Sequence, residues 1–226
     1  MLRLTPIILA MLYAYAMYRF SSWRTARELD EKSTELRDPL LTELIRQMAE
    51  ALNLPRIKVF IYEIDPINGL AAPDGRIFIT RGFYKKYKAG EVSAEELASV
   101  IAHELGHVAL GHSRRRMIDF SGQNAIRTAL GMVLGRFLPG IGFYIANLLT
   151  TLLAARLSRQ DEYEADAYAS ALMTKAGFGV GAQKSLFLKL DRLSGGGGRP
   201  MAWMMSHPKT AERIAAIEAR EKKWKA

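Results

Sequence analysis

His103-Glu104-Leu105-Gly106-His107 sets two imidazoles four positions apart, with a carboxylate directly after the first. On a helix, residues i and i+4 share a face, so both rings can turn a nitrogen toward one divalent cation, and this spacing suits Zn²⁺. Glu104 then projects beside the ion. There it can take a proton from a water attacking a carbonyl and pass it to the departing amine. Two imidazoles leave such a centre one ligand short, because catalytic zinc has three protein ligands and a fourth position for water. The chain has 4 histidines and no cysteine, so any metal sits on His, Asp or Glu. In Asp161-Glu162-Tyr163-Glu164-Ala165-Asp166, Glu162 and Asp166 stand four apart on an expected helix. Glu162 could bind the metal while Asp166 accepts the outer N–H of a ligand histidine and fixes its tautomer. The spacing leaves Glu164 open as the ligand, and a solvated acidic face would read the same way. His112 falls off the ligand face, which suits the surface or an outer contact.

These residues need elements to hold them. Ser93 and Glu96 form the pattern of a capping box, which predicts a helix running through both histidines to about His112. Asp38-Pro39 reads as the start of another helix, with Leu40, Leu41, Leu44, Ile45, Met48 and Leu52 on its core face. Ile57 to Ile64 is strand-like, and Pro73-Asp74-Gly75 separates Gly69-Leu70-Ala71 from a strand at Arg76 to Thr80. The expectation is an α+β, mostly helical domain with a small antiparallel sheet beside the histidine helix. Ala125 to Leu157 reads as an apolar helical hairpin broken at Pro139-Gly140, each arm short of a comfortable membrane span. A helix ending near Gly177, another from about Gly181 to Leu193, a flexible run at Gly195 to Gly198 and a last helix after Pro208 complete the chain.

The absence of cysteine excludes disulfides, thiol nucleophiles and zinc ribbons. Leu4 to Phe20 holds no charge before Arg19 and is about long enough for an N-terminal anchor. Arg19 at its end, with Arg24 and Arg27 beyond it, favours a single-pass protein with a cytoplasmic body. Ala14-Tyr15-Ala16 offers the alternative of a cleaved signal and a periplasmic or secreted body. The resulting division is an anchor at 1–20, a basic linker at 21–38 and a metallopeptidase domain at 39–226. The formal charge of +9 accompanies no helix-turn-helix or similar reading motif, which argues against nucleic acid. Arg114-Arg115-Arg116 is by default a solvated face, and lipid headgroups are its sharper reading as a partner.

HELGHVALGH, SRQDEYEADAYA and SHPKTAERI, in that order, resemble the HtpX, BepA and CAAX prenyl protease family of zinc metallopeptidases, which are zincin-like and of the gluzincin type. The stretch from Asn68 to Gly82 is similar to that family's edge-strand segment, with Gly69 where alanine is frequent. The resemblance covers roughly Leu40 to Glu218. It implies His103, His107 and Glu162 as ligands of one Zn²⁺ per chain, Glu104 as general base and Asp166 behind a ligand histidine; it favours Glu162 over Glu164. It further implies that Asn68 and Ala71 face a polypeptide bound as an extended strand, and that His207 faces the cleft. There His207 could donate to the developing oxyanion, while the plainer reading is a helix entry before Pro208. The activity implied is endopeptidase cleavage of membrane-associated or misfolded protein. One convincing span is too few for the lipid-embedded chamber of the prenyl proteases, so a CAAX substrate is not expected. A zinc-bound chaperone or adaptor without turnover is the alternative, and the intact Glu104 speaks against it.

Overall fold

The computed structural model describes residues 5–72, 74–112, 127–194 and 210–225. They fall into two compact units, Lys32–His112 with Arg159–Ala226, and Met1–Glu31 with Ser113–Ser158. His207, Arg114 to Arg116 and Gly195 to Gly198 lie outside the described residues.

In the first unit, β1 (Ser33–Glu35), β2 (Val59–Tyr62), β3 (Gly69–Ala71) and β4 (Ile77–Thr80) form one sheet in the order β1-β2-β4-β3. β1 and β2 are antiparallel, as are β3 and β4, but β2 and β4 run parallel, with Val59 opposite Ile77. The sheet is therefore mixed rather than antiparallel. After β2 the chain crosses to lay β3 at the edge, and the turn around Asp74-Gly75 returns β4 into the gap between them. Gly75 has a φ of 87° there, a backbone conformation that glycine adopts without steric cost. β4 is buried at every position.

Helix α2 (Pro39–Ala51) begins as expected, with Asp38 accepting from Leu41 N at 3.2 Å and proline in the first turn. Leu41, Leu44, Ile45 and Met48 are buried, whereas Leu40 is exposed. Asp38 also accepts from Tyr84 and Tyr87 of α3 (Arg81–Lys88), which fastens that short helix to the start of α2. Helix α4 (Ala94–Ala109) opens with a complete capping box: Glu96 N donates to Ser93 Oγ and Ser93 N to a Glu96 carboxylate oxygen. Every residue from Glu96 to His107 is buried, as befits a helix enclosed on all sides. It packs on α2, β3, β4 and α6 (Gly181–Ser194). The Glu96 carboxylate also accepts from Ser185 at 2.6 Å and Lys189 at 2.7 Å of α6, and these bonds hold its pKa below the ordinary range against burial. The helix stops three residues short of His112, because Gly111 with a φ of 70° turns the chain after the Leu110 cap.

Helix α5 (Gly142–Lys175) is 34 residues long and merges two expected elements, the second arm of the apolar hairpin and the acidic helix. No glycine or proline occurs between Gly142 and Gly177 to break it. The chain ends with α7 (Thr210–Lys225). In the second unit, α1 (Thr5–Glu31) runs through the start of the segment expected as a linker. Residues 127–137 form the other arm of the hairpin, and a Cβ on Gly131 would come within 2.5 Å of the Phe143 ring, so the two arms meet closely. Among the described residues no helix is long and apolar enough to cross a membrane, so the expected anchor finds no support.

Candidate active site

The site is assembled from α4, the part of α5 from Arg159 onward, and α7, all within the first unit. His103 and His107 lie one turn apart on α4, with their Nε2 atoms 3.1 Å from each other. Glu162 of α5 brings one carboxylate oxygen to 3.4 Å from His103 Nε2 and the other to 3.5 Å from His107 Nε2. All three side chains are buried. Donor atoms bound at about 2.0–2.1 Å to a tetrahedral ion stand about 3.3 Å apart, so the three edges of this triangle have the dimensions of a metal site. His103, His107 and Glu162 can thus hold a divalent cation between them.

The rings are held from behind. His103 Nδ1 lies 2.9 Å from Asp166 Oδ1, so the proton of a neutral ring sits on Nδ1 and Nε2 offers its lone pair to the cluster. Burial disfavours a charged His103, but the bonds to Asp166 and Glu162 outweigh it and lift its pKa to about 9 when no metal is present. Asp166 is itself gripped by Arg213 of α7, whose Nε and Nη2 donate at 2.6 and 2.7 Å. Burial pushes the Asp166 carboxyl up, yet this two-pronged cation brings it down to about 2. Arg213 also lies over the Phe187 ring, 4.4 Å from its centroid. The backbone carbonyl of Asp166 accepts from Gln183 Nε2 at 3.3 Å, which ties this turn of α5 to α6.

His107 meets a different partner. Its Nδ1 is 3.0 Å from His112 Nδ1, and His112 Nε2 is 3.1 Å from Glu164 Oε2. His112 is fully buried, contrary to a surface position, and stands as the outer contact of His107. Had α4 continued, His112 would have pointed about 140° away from His107, given about 100° per residue. The turn at Gly111 brings it back. Glu164 thus faces His112 while Glu162 faces both Nε2 atoms. His112, Asp161 and Glu164 also form a group that could hold an ion.

Glu104 is buried on the side of α4 that meets β3. A Cβ added to Gly69 would lie 2.8 Å from Val100 and 3.3 Å from Glu104 Cγ, so the bare glycine lets the edge strand approach the carboxylate. Asn68, just before β3, is fixed through its backbone: its N–H donates to Thr80 Oγ1 and its carbonyl accepts from that hydroxyl, each at 3.0 Å. Its side-chain Oδ1 is buried and has no hydrogen-bond partner among the described residues. Ala71 lies at the far end of β3, half-buried. Among the described residues of this cluster, Arg213 is not marked by residue type or spacing, although it falls within SHPKTAERI. The signal available was indirect: a buried Asp166 requires a cation.

Two imidazoles on one helix, a carboxylate beside them and another from a later helix define a metallopeptidase-type site. The profile of peptidase family M48 matches residues 35–221, and the chain belongs to that family and is a protease. It is 30% identical over 180 residues to the metalloprotease LoiP of Escherichia coli K12, covering 80% of this chain and 69% of that one. It is 27% identical to the protease HtpX homolog of Bordetella avium, over 80% of this chain and 71% of the relative. The beta-barrel assembly-enhancing protease of Escherichia coli O157:H7 is 29% identical, over 84% of this chain and 40% of that longer protein.

Proposed function

We propose that this protease is a zinc endopeptidase in which His103, His107 and Glu162 hold one Zn²⁺ and Glu104 is the general base. The observation that carries this reading is the triangle of Nε2, Nε2 and carboxylate at 3.1, 3.4 and 3.5 Å, with the outer nitrogens of both rings already engaged. A bound zinc ion would acidify a water and polarise the scissile carbonyl. Glu104 takes the proton released as water adds to the carbonyl and delivers it to the leaving amine. Asp166, backed by Arg213, keeps the His103 proton on Nδ1. β3 is the edge strand on the side of Glu104, and an extended polypeptide laid along it would be read through main-chain bonds, with Asn68 and Ala71 at the contact. Asn68 Oδ1, which has no partner among the described residues, supports this placement, since a buried acceptor without a donor is costly until a partner supplies one. Membrane-associated or misfolded proteins are the proposed substrates, because main-chain reading tolerates many side chains.

The test is casein hydrolysis by the full chain, which a strong chelator should abolish and stoichiometric Zn²⁺ restore. Turnover that survives complete zinc removal would rule the proposal out. Capture of unfolded casein without cleavage, in the presence of zinc, would favour the chaperone reading instead.

We extend the proposal to His207 as donor to the developing oxyanion. His207→Ala should then lower kcat about a hundredfold with little change in KM and with zinc retained. Normal turnover would make it a helix-entry residue only. Lipid is a further proposed partner, because Trp23 of α1 and Phe137, Phe143, Tyr144 and Leu148 of the hairpin are exposed. Flotation with anionic vesicles should carry the chain upward, and failure to do so removes lipid from the account.

A further inference from the structure

We propose that His112 is a positioning residue that, together with Glu164, fixes which nitrogen of His107 carries the proton. The inference rests on the zinc site proposed above, and it follows from proton counting along three groups. To bind a metal, His107 must present a bare Nε2 toward His103 and Glu162, from which that atom lies 3.1 and 3.5 Å away. The single proton of the neutral ring then sits on Nδ1. That atom is 3.0 Å from His112 Nδ1, and two ring nitrogens at this distance share one proton, so His112 Nδ1 must be the acceptor. The proton of His112 is thereby placed on Nε2, 3.1 Å from Glu164 Oε2. A carboxylate only accepts, so Glu164 sets the direction of the whole chain. Glu164 is held in turn by Gln160 Nε2, which donates to its other oxygen at 2.9 Å.

The two ligand histidines are thus oriented by different devices. His103 donates directly to a carboxylate anchored by an arginine, whereas His107 reaches its carboxylate through a second imidazole. The link depends on the turn at Gly111, which returns His112 against the helix it has just left.

The same geometry decides what the group of His112, Asp161 and Glu164 does. An ion on His112 Nε2 would force the His112 proton onto Nδ1, where it would donate to His107 Nδ1. His107 would then carry its proton on Nε2 and be lost as a ligand. With neutral rings the two roles exclude each other, and the outer contact to His107 is the one compatible with a metal at His103, His107 and Glu162.

The probe is Zn²⁺ alone, titrated against a chromophoric chelator with the full chain, with thermal unfolding recorded in parallel. His112→Leu removes the acceptor and should weaken zinc binding about 10- to 100-fold, while His112→Asn, whose amide oxygen can take the place of Nδ1, should stay within about threefold of wild type. If the leucine variant does not fold, His112→Gln serves in its place, since its amide reaches only toward the position of Nε2 and leaves His107 without an acceptor. Unchanged affinity in the leucine or glutamine variant would overturn the inference. So would an asparagine variant as weak as those, or a second zinc per wild-type chain that disappears in Glu164→Gln. Failure of the wild-type chain to bind any zinc would instead defeat the proposed function, so the two failures are distinguishable.

Discussion

Gly106 of the histidine helix sits against Ala165 of the acidic helix so closely that a Cβ on the glycine would stand 3.1 Å from both Ala165 Cα and its carbonyl oxygen. The two backbones, not flexible side chains, make this contact, and it sets how near Glu162 comes to the two imidazoles. Gly106→Ala must therefore push α5 outward by a few tenths of an ångström, at a cost of about 1–3 kcal/mol for overpacking. Thermal unfolding should register the loss, and zinc titration should give weaker binding. Full affinity together with an unchanged unfolding midpoint would mean that this contact does not set the ligand spacing.

Arg213 and Asp166 form a buried, two-pronged ion pair. Arg213→Ala strands the Asp166 carboxylate without its cation and should cost about 3–5 kcal/mol in urea unfolding at neutral pH. Arg213→Lys should recover only part, because an ammonium cannot bridge both oxygens in the same plane. Since the Asp166 pKa is depressed to about 2, its contribution is present above the ordinary carboxylate value near 3.8 and is lost as pH falls toward 2. Unfolding midpoints of wild type and Arg213→Ala measured down to pH 2 should therefore converge in that window. Parallel curves would contradict the assignment.

How much of this was legible in the sequence depended on the range of the signal. The capping box at Ser93 and Glu96, the proline start of α2 and the i, i+4 histidines are local patterns, and each appears where expected. The parallel pairing of β2 with β4 was not legible, because nothing within either strand says that β3 lies outside them. Spacing alone could not separate Glu162 from Glu164, since both are on α5 within one turn; only the direction of each side chain toward α4 divides them. The partnership of Arg213 with Asp166 joins residues 47 apart in the chain, and a lone arginine on a helix rich in charge gives no local sign of it. That His112 stays off the ligand face follows from its spacing, but its burial against His107 Nδ1 does not, because it depends on the turn at Gly111 that no helix periodicity signals.

His103 carries a consequence for pH. Without metal its pKa is raised from 6.5 to about 9, so its protonated form stabilises the fold below the unfolded value and this contribution fades as pH rises through about 9. Zinc must displace that proton. Apparent zinc affinity should therefore rise by about tenfold per pH unit from pH 7 toward pH 9 and then level off. A flat profile across that range would show that His103 is already neutral in the metal-free protein.

The most direct test of the central claim pairs zinc content with casein hydrolysis for Glu104→Gln and Glu162→Ala. If Glu104 moves the proton and Glu162 holds the ion, Glu104→Gln binds one zinc as tightly as wild type with turnover reduced by at least about a hundredfold, whereas Glu162→Ala loses both. Wild-type rates in zinc-loaded Glu104→Gln, or full zinc occupancy in Glu162→Ala, would contradict it.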